Sequence, residues 1–361
     1  MRQSRLLLLT MVMASCGPAH TRDIGPGPRG AELTRPPAAV EPSPPGDVQL
    51  FLVLPLDGDL YVQLDGQAFM DLDPPVMNPA AAALVESPAA GYVLRSPLDP
   101  AEAADVGARV RALGPLTVFD GGVAICTATP DAPVAVARDV PHFGMEQDWT
   151  EAGVDPAGAN GLPAREALIA QAATFRMARL PGCRAEGRGL WARTHSEREL
   201  PVLSFLEASA EVTDDLWERT FALDAWNEAR ARVMENYEEA GSGEPDVVFR
   251  SFEARPGEDA DGGWAFFCSV FGDGSCGGPG EARLVVLWRQ GPPSTMAFWV
   301  VDPEEETPFE VSMIGDADGD GHVEILAFTS PLDDRWTLFR LVDGALVPLV
   351  SSYTAYNDCP C

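Results

Sequence analysis

The sequence predicts an α+β fold that is predominantly antiparallel β, with an N-terminal β-rich domain and a C-terminal β-meander that carries one long helix. Short runs of β-branched and aromatic residues recur along the chain, separated by clusters of Gly, Pro and Asp. The 34 glycines and 33 prolines indicate many turns. One long segment, residues 213–241, has its apolar residues at helical spacing.

The 361 residues are enough for two domains of ordinary size. We predict a signal peptide over residues 1–15, a tether over 16–46, a β-rich domain over 47–198 and an α+β domain over 199–361. Residues 17–46 contain eight prolines and five glycines, so we expect an extended segment that reaches up to about 90 Å.

The net charge of −30 restricts the partners of this protein. Such a surface repels nucleic acid phosphates and anionic lipid headgroups, so we exclude nucleic acid as a partner. It attracts divalent cations and basic partners. The alternative is that the acidity only keeps the protein soluble.

In the N-terminal half, the residues Leu56, Asp57, Gly58 and Asp59 predict a β-hairpin between two apolar runs. Three further strands are predicted within residues 115–140, with turns at 120–122 and 129–131. Residues 164–173 predict a short helix, followed by strands at 174–180 and 189–194. The alternative is that these two strands form a hairpin.

The long helix is predicted to begin after Thr213 as its N-cap and to end at Gly241 in the C′ position. Asp214 and Asp215 place negative charge near the N-terminal end of the helix, where the helix dipole is positive, and this arrangement is favourable. Its apolar stripe, which we interpret as core packing, consists of Trp217, Phe221, Ala225, Ala229, Val233 and Tyr237.

Eight apolar runs follow the helix, and Gly, Pro and Asp clusters separate them. They predict an antiparallel meander with the helix packed against its sheet. The alternative is an incomplete propeller-like array. The runs are 247–252, 264–271, 283–288, 296–301, 309–314, 323–328, 336–341 and 345–353.

The first sixteen residues have the features of an export signal. Arg2 and Arg5 precede an apolar run over residues 6–13, which is too short to span a bilayer. The residues Met-Ala-Ser-Cys at 13–16 resemble the lipobox of bacterial lipoproteins, with Met13 where leucine is usual. This resemblance implies cleavage before Cys16, acylation of that residue and, because Gly17 follows it, an outer-membrane location. The alternative is an ordinary cleaved signal.

The cysteine count is consistent with this interpretation. Seven cysteines are present, so six remain if Cys16 is acylated, and six can form three disulfides in fifteen possible pairings. Cys268 and Cys276 close a short loop and predict one pair; Cys126 and Cys183 are the second predicted pair. Either Cys359 or Cys361 ties the C-terminus to the body, because a bond between the two is strained. A metal site is the alternative, but there is no C-x-x-C motif.

Residues 316–324, DADGDGHVE, concentrate acidic residues in a turn between two predicted strands. Calcium takes six to eight oxygen ligands, which alternate residues of a tight turn can supply. We therefore predict a structural Ca²⁺ site, and a solvated acidic turn is the alternative. Gly321 is expected to adopt the positive φ that reverses the loop. The predicted ligands are the side chains of Asp316, Asp318, Asp320 and Glu324 and the carbonyl of His322.

This loop is not an EF-hand, because Ala327 occupies the position that requires a bidentate glutamate. It resembles the calcium loop of FG-GAP and integrin-type repeats, in which D-x-D-x-D-G-x-x-D/E joins two strands. Glu324 stands where aspartate is commoner, and the chain has one good copy. The resemblance implies a calcium ion between two β-strands.

We predict an exported, lipid-anchored protein of the bacterial envelope or surface. Its expected partners are the membrane, through the lipid on Cys16, and a protein or polysaccharide ligand. A binding or structural module is expected rather than an enzyme, and no catalytic residue can be identified. The alternative is a secreted hydrolase whose site assembles only in the fold around a nucleophile and His142 or His195.

The lipid anchor is tested by labelling cells that express the chain with radioactive palmitate. The wild type should be labelled and Cys16→Ala should not, because the thiol is the acylated group. Ser15→Ala keeps a small residue before the cysteine and should still be labelled. Equal labelling of wild type and Cys16→Ala would remove the lipoprotein prediction.

Overall fold

The fold consists of three antiparallel sheets of nine, five and four strands, with helices beside them. The computed structural model describes residues 48–66, 73–87, 91–139, 165–166, 169–170, 172–187, 189–195, 204–207, 214, 217–218, 221–241, 247–255, 264–272, 282–289, 295–301, 310–320, 322–330, 335–342 and 345–352. The predicted signal peptide and most of the tether lie outside these residues.

The nine-stranded sheet forms the N-terminal half and has the order β3-β4-β7-β8-β2-β1-β9-β5-β6. All of its strand pairs are antiparallel. Its strands are β1 (Leu50–Leu56), β2 (Asp59–Gln63), β3 (Ala83–Ser87), β4 (Gly91–Pro97), β5 (Leu116–Asp120), β6 (Val123–Ala128), β7 (Asp131–Asp139), β8 (Ala173–Leu180) and β9 (Leu190–Thr194).

The predicted hairpin and the three following strands are confirmed. Asp57 and Gly58 both have positive φ, 52° and 77°, as a two-residue hairpin turn requires. Residues 165–166 and 169–170 are helical, as expected. The alternative hairpin between β8 and β9 is wrong, because β2 and β1 lie between these strands in the sheet.

Strand β1 shows why the sheet is covered on both faces. Phe51 and Val53 point into an apolar cluster that also contains Leu60, Val62 and Leu116, which we call the main core. Leu50 and Leu52 point to the opposite face of the sheet and join a different cluster. Adjacent residues of a strand face opposite sides of a sheet, so an unbroken apolar run predicts burial on both faces.

Helix α1 (Pro100–Leu113) lies beside β7 and covers one face of the nine-stranded sheet. Val106 and Val110 enter the main core. The helix begins at Asp99, whose carboxylate accepts hydrogen bonds from the backbone N–H groups of Ala101 and Glu102. Helix α1 is not among the elements predicted from the sequence, although Asp99 followed by proline at the first helical position is a typical helix start.

The predicted pair Cys126 and Cys183 forms a disulfide, with 5.8 Å between the two Cα atoms. Cys183 is buried in the main core, and Cys126 packs against it from the edge strand β6. The bond closes a separation of 57 residues, for which the chain-entropy model gives about 4 kcal/mol of stabilisation.

The long helix is shorter than predicted. Helix α2 (Asp224–Glu239) begins after Leu223, and a separate helical segment precedes it. The side-chain amide of Asn227 donates to the carbonyls of Phe221 and Leu223. These carbonyls lie where the preceding helical segment ends, and the amide gives them a hydrogen-bond partner. Gly241 has a φ of 66°, as expected for C′.

The predicted apolar stripe of the helix is buried at Trp217, Ala229, Val233 and Tyr237. Trp226, which the prediction omitted, is also fully buried. Trp217 and Trp226 both make edge contacts with the ring of Phe221, so these aromatic rings pack the two helical segments together.

The predicted C-terminal strands are all present, but they form two sheets rather than one. The five-stranded sheet comprises β10 (Ser204–Glu207), β11 (Val247–Arg255), β12 (Trp264–Phe271), β13 (Ala282–Arg289) and β14 (Thr295–Val301), and α2 lies beside β13 and β14. The four-stranded sheet comprises β15 (Glu310–Gly315), β16 (Val323–Ser330), β17 (Arg335–Val342) and β18 (Ala345–Ser351).

The four-stranded sheet packs against the nine-stranded sheet through one apolar cluster, which we call the inter-sheet cluster. Its buried members from the nine-stranded sheet are Leu50, Leu52, Phe119 and Trp191; those from the C-terminal part are Met313, Ala317, Leu326, Trp336, Leu338 and Val350. Trp191 and Trp336 are both buried, with 4% and 9% of their surface exposed. The N-terminal and C-terminal halves therefore share a core.

Close backbone contacts accompany this packing. Gly189 has a φ of 66°, and a Cβ atom added there would lie 2.6 Å from the Trp336 ring. The Ser312 hydroxyl donates to the Gly189 carbonyl at 3.3 Å. The amide of Gln63 donates to the carbonyl of Ser351 at 2.9 Å. Both polar contacts join the two sheets.

Within the part of the chain that the structure describes, no helix is long and apolar enough to cross a membrane.

Replacing Gly189 by alanine tests the packing of the two sheets. The added methyl group collides with Trp336, so we expect a loss of about 1–3 kcal/mol in the free energy of unfolding beyond the backbone cost. Gly58→Ala is the matched control, since Gly58 also has positive φ but has open space around it. Equal losses for both variants in urea unfolding would contradict the close approach at Trp336.

Candidate metal centre

The predicted calcium loop joins β15 to β16 within the four-stranded sheet. Gly315 and Glu324 are the last residues that pair between these strands, and residues 316–322 connect the end of β15 to the start of β16. Glu324 also pairs with Arg340 of β17 on its other side. The antiparallel register thus places the side chains of Glu324 and Arg340 next to each other on the same face of the four-stranded sheet.

Three of the predicted ligands come together. One carboxylate oxygen from each of Asp316, Asp318 and Glu324 lies within 4.8 Å of the others. Glu324 is fully buried and Asp318 is 8% exposed, whereas Asp316 is half-buried. Among the described residues, this is the group of side chains whose spacing suits a metal ion.

The spacing of these oxygens fits calcium. Oxygen ligands lie about 2.4 Å from Ca²⁺, so oxygens that share one ion are at most about 4.8 Å apart. Carboxylate oxygens are also the hard ligands that this ion prefers. Asp316, Asp318 and Glu324 would hold the ion, which would supply positive charge among them.

The other predicted ligands behave differently. The Asp320 carboxylate accepts a hydrogen bond from the backbone N–H of His322 at 2.8 Å and lies outside the group of three. Gly319 has a φ of 80° in the loop. Gly321, where the sequence predicted the reversal, lies outside the described residues.

Hydrogen bonds within the loop hold the carboxylates in place. Glu324 Oε2 accepts from the backbone N–H of Ala317 at 2.8 Å, and Asp318 Oδ1 accepts from the backbone N–H of Asp320 at 3.1 Å. These bonds use one oxygen of each buried acid, and Arg340 contacts the other oxygen of each.

Arg340 also belongs to the candidate site, although it is not among the residues predicted from the sequence. Its guanidinium contacts three carboxylates of the loop. Nε donates to Glu324 Oε1 at 2.9 Å, Nη1 lies 3.0 Å from Asp320 Oδ2, and Nη2 donates to Asp318 Oδ2. No spacing rule in the sequence associates Arg340 with the loop, because the register of β16 and β17 brings them together.

Ala317 connects the loop to the inter-sheet cluster. Its methyl group is buried in that cluster, and its N–H donates to Glu324. Its carbonyl accepts a hydrogen bond from Arg193 Nη1 at 3.3 Å, and the same guanidinium lies 5.1 Å from the centre of the Phe119 ring. Asp316 and Asp318 flank Ala317, so the position of both acids depends on the packing of the two sheets.

Burial changes the acid–base properties of the site. Burial, and after it the charge of Asp318, raises the pKa of Glu324 to about 8, against the opposing effects of the Ala317 N–H and of Arg340. Burial also raises the pKa of Asp318, and Arg340 opposes that shift. Burial disfavours the charged form of Arg340, but the charges of Glu324 and Asp318 outweigh it and raise the pKa of the guanidinium. A second cation would favour the ionised acids.

The remaining predicted site residues are only partly described. Cys16, Cys276, Cys359, Cys361 and His142 lie outside the described residues, as does the side chain of Cys268. The proposed pairings of these cysteines therefore stay predictions. His195 is exposed at the end of β9, and its backbone N–H donates to the carbonyl of Pro115.

Comparison with protein-family models, with curated proteins and with solved structures finds no match to this chain.

The buried acid Glu324 predicts a pH dependence of the metal-free protein. Its folded-state pKa of about 8 lies above the ordinary value of 4.5, so folding favours the protonated form. The stabilisation is present below pH 4.5 and is lost as the pH rises through 8. We expect the melting temperature in EDTA to fall between pH 5 and pH 8, and Glu324→Gln to reduce the slope.

Asp105→Asn removes an exposed carboxylate from α1 and is the control for this experiment. It should retain the wild-type slope. A Glu324→Gln variant whose melting temperature falls as steeply as that of the wild type would show that this acid does not cause the dependence.

Proposed function

We propose that this chain is an exported, lipid-anchored protein of the bacterial envelope or surface that serves as a binding or structural module. In it, a calcium ion held by Asp316, Asp318 and Glu324 braces the four-stranded sheet. The single observation that carries the calcium proposal is the convergence of these three carboxylates within 4.8 Å, two of them buried.

The excess of negative charge at the site supports the proposal that a metal ion binds there. Four carboxylates, those of Asp316, Asp318, Asp320 and Glu324, lie within nine residues, and one arginine contacts three of them. When they are ionised, these groups repel one another strongly, because burial lowers the effective dielectric constant. A divalent ion converts this repulsion into attraction.

The location of the loop supports a structural role. Ala317 places the loop in contact with the inter-sheet cluster, and Arg193 joins its carbonyl to the nine-stranded sheet. An ion between Asp316 and Asp318 fixes the backbone on both sides of Ala317. The bound ion would therefore stabilise the contact between the two sheets as well as its own loop.

Export supports the choice of calcium. Sites of extracellular modules bind Ca²⁺ with Kd values of roughly 10⁻⁴ to 10⁻³ M, so such a site fills outside the cytoplasm. The lipobox-like residues 13–16 indicate attachment of the mature chain to a membrane. The tether over residues 16–46 would hold the folded part away from the lipid, where it meets a protein or polysaccharide ligand.

Thermal unfolding with calcium tests the site. An ion at one hundred times its Kd adds about 2.7 kcal/mol to the free energy of unfolding. We expect 10 mM CaCl₂ to raise the melting temperature of the purified protein by roughly 5 to 10 °C over EGTA. Asp316→Asn should lose most of this gain.

Asp131→Asn is the matched control. Asp131 is an acid of β7 that pairs with Arg179 in the nine-stranded sheet, so its loss changes the net charge without changing the loop. It should keep the wild-type response to calcium. A wild type that melts at the same temperature in CaCl₂ and in EGTA would reject the structural calcium ion.

A further inference from the structure

We propose that Arg340 is a built-in counter-cation of the acidic loop and that a divalent ion binds by displacing it. This inference rests on the proposed calcium function and adds a regulatory step to it. In the metal-free protein the guanidinium holds the carboxylates together; when the ion enters, the guanidinium leaves them.

The positions of the contacts support displacement. The group of three carboxylates that suits a metal includes Asp318 and Glu324, and both also bind Arg340. A guanidinium and a divalent ion among the same oxygens repel each other strongly. The two cations therefore compete for shared ligands.

The hydrogen bonds show which contacts must break. Glu324 binds the Ala317 N–H through Oε2 and Arg340 through Oε1. Asp318 binds the Asp320 N–H through Oδ1 and Arg340 through Oδ2. The backbone and Arg340 bind different oxygens of each acid, so an ion can replace Arg340 without breaking the hydrogen bonds to the backbone.

Arg340 is able to leave. Its side chain is 22% exposed, whereas those of Asp320 and Glu324 are 4% and 0% exposed. A long arginine side chain keeps its stem against the protein while its head moves into water. Rotation of the side chain would free the oxygens without moving β17.

Displacement has two measurable consequences. The loop keeps its shape without metal, because Arg340 offsets part of its charge. The calcium affinity is lower than the carboxylates alone would give, because binding must first break the contacts of Arg340. Removing the guanidinium should weaken the metal-free fold and strengthen calcium binding.

The test measures the Kd for Ca²⁺ by calorimetry on the purified full-length wild type, Arg340→Met and Arg179→Met. Arg340→Met should bind at least tenfold more tightly than the wild type and melt at a lower temperature in EGTA. Arg179→Met removes the same charge from an ion pair with Asp131 in another sheet, so its Kd should match that of the wild type.

The outcomes separate the two proposals. If Arg340→Met binds calcium no more tightly than the wild type, displacement is overturned, while the proposed calcium function stands as long as Asp316→Asn abolishes binding. If neither the wild type nor Arg340→Met binds calcium, both proposals are overturned. If Arg179→Met tightens binding as much as Arg340→Met, net charge explains the effect and displacement is overturned.

A measurement on the wild type covers the case in which Arg340→Met does not fold. The ¹H–¹⁵N signal of Arg340 Nε, identified by its loss in Arg340→Lys, should report a bonded N–H in EGTA. It should move to the position of a solvated arginine as calcium is added. A signal that calcium saturates without moving would overturn displacement.

Discussion

The buried carboxylate of Glu324 is the constraint on which the C-terminal part of the structure depends. It has no solvent exposure, so every hydrogen bond it needs must come from the protein. Two partners meet that need: the N–H of Ala317 and the guanidinium of Arg340. The first partner fixes the loop that precedes β16, and the second fixes the neighbouring strand β17. One acid thus determines the arrangement of three consecutive elements.

The inter-sheet cluster extends this constraint to the rest of the molecule. Ala317 is both the hydrogen-bond partner of Glu324 and a member of the cluster with Trp191 and Trp336. An electrostatic site and an apolar interface therefore share a residue. Ala317 and Arg193 therefore join the acidic loop to the nine-stranded sheet by packing and by a hydrogen bond.

Local chemistry made much of the fold predictable. The Asp57-Gly58 turn and the strands of the C-terminal half follow from residue types alone, and three of the predicted ligands do converge. The features that escaped prediction depend on contacts. The long helix breaks at Leu223, where Asn227 satisfies the preceding carbonyls, and Arg340 reaches the loop only through strand register. The division into two C-terminal sheets likewise follows from tertiary packing and not from the pattern of apolar runs.

The shared core also has a consequence for biosynthesis. Leu50 and Leu52 are translated long before Leu338 and Val350, which belong to the same inter-sheet cluster. The ribosome must synthesise the strands of the four-stranded sheet before this face of the nine-stranded sheet can be covered. Until then an apolar surface stays open to water and to other chains, as is usual for contacts between distant segments. A chain truncated before β17 would therefore leave an early-made surface permanently uncovered, and we expect such fragments to aggregate.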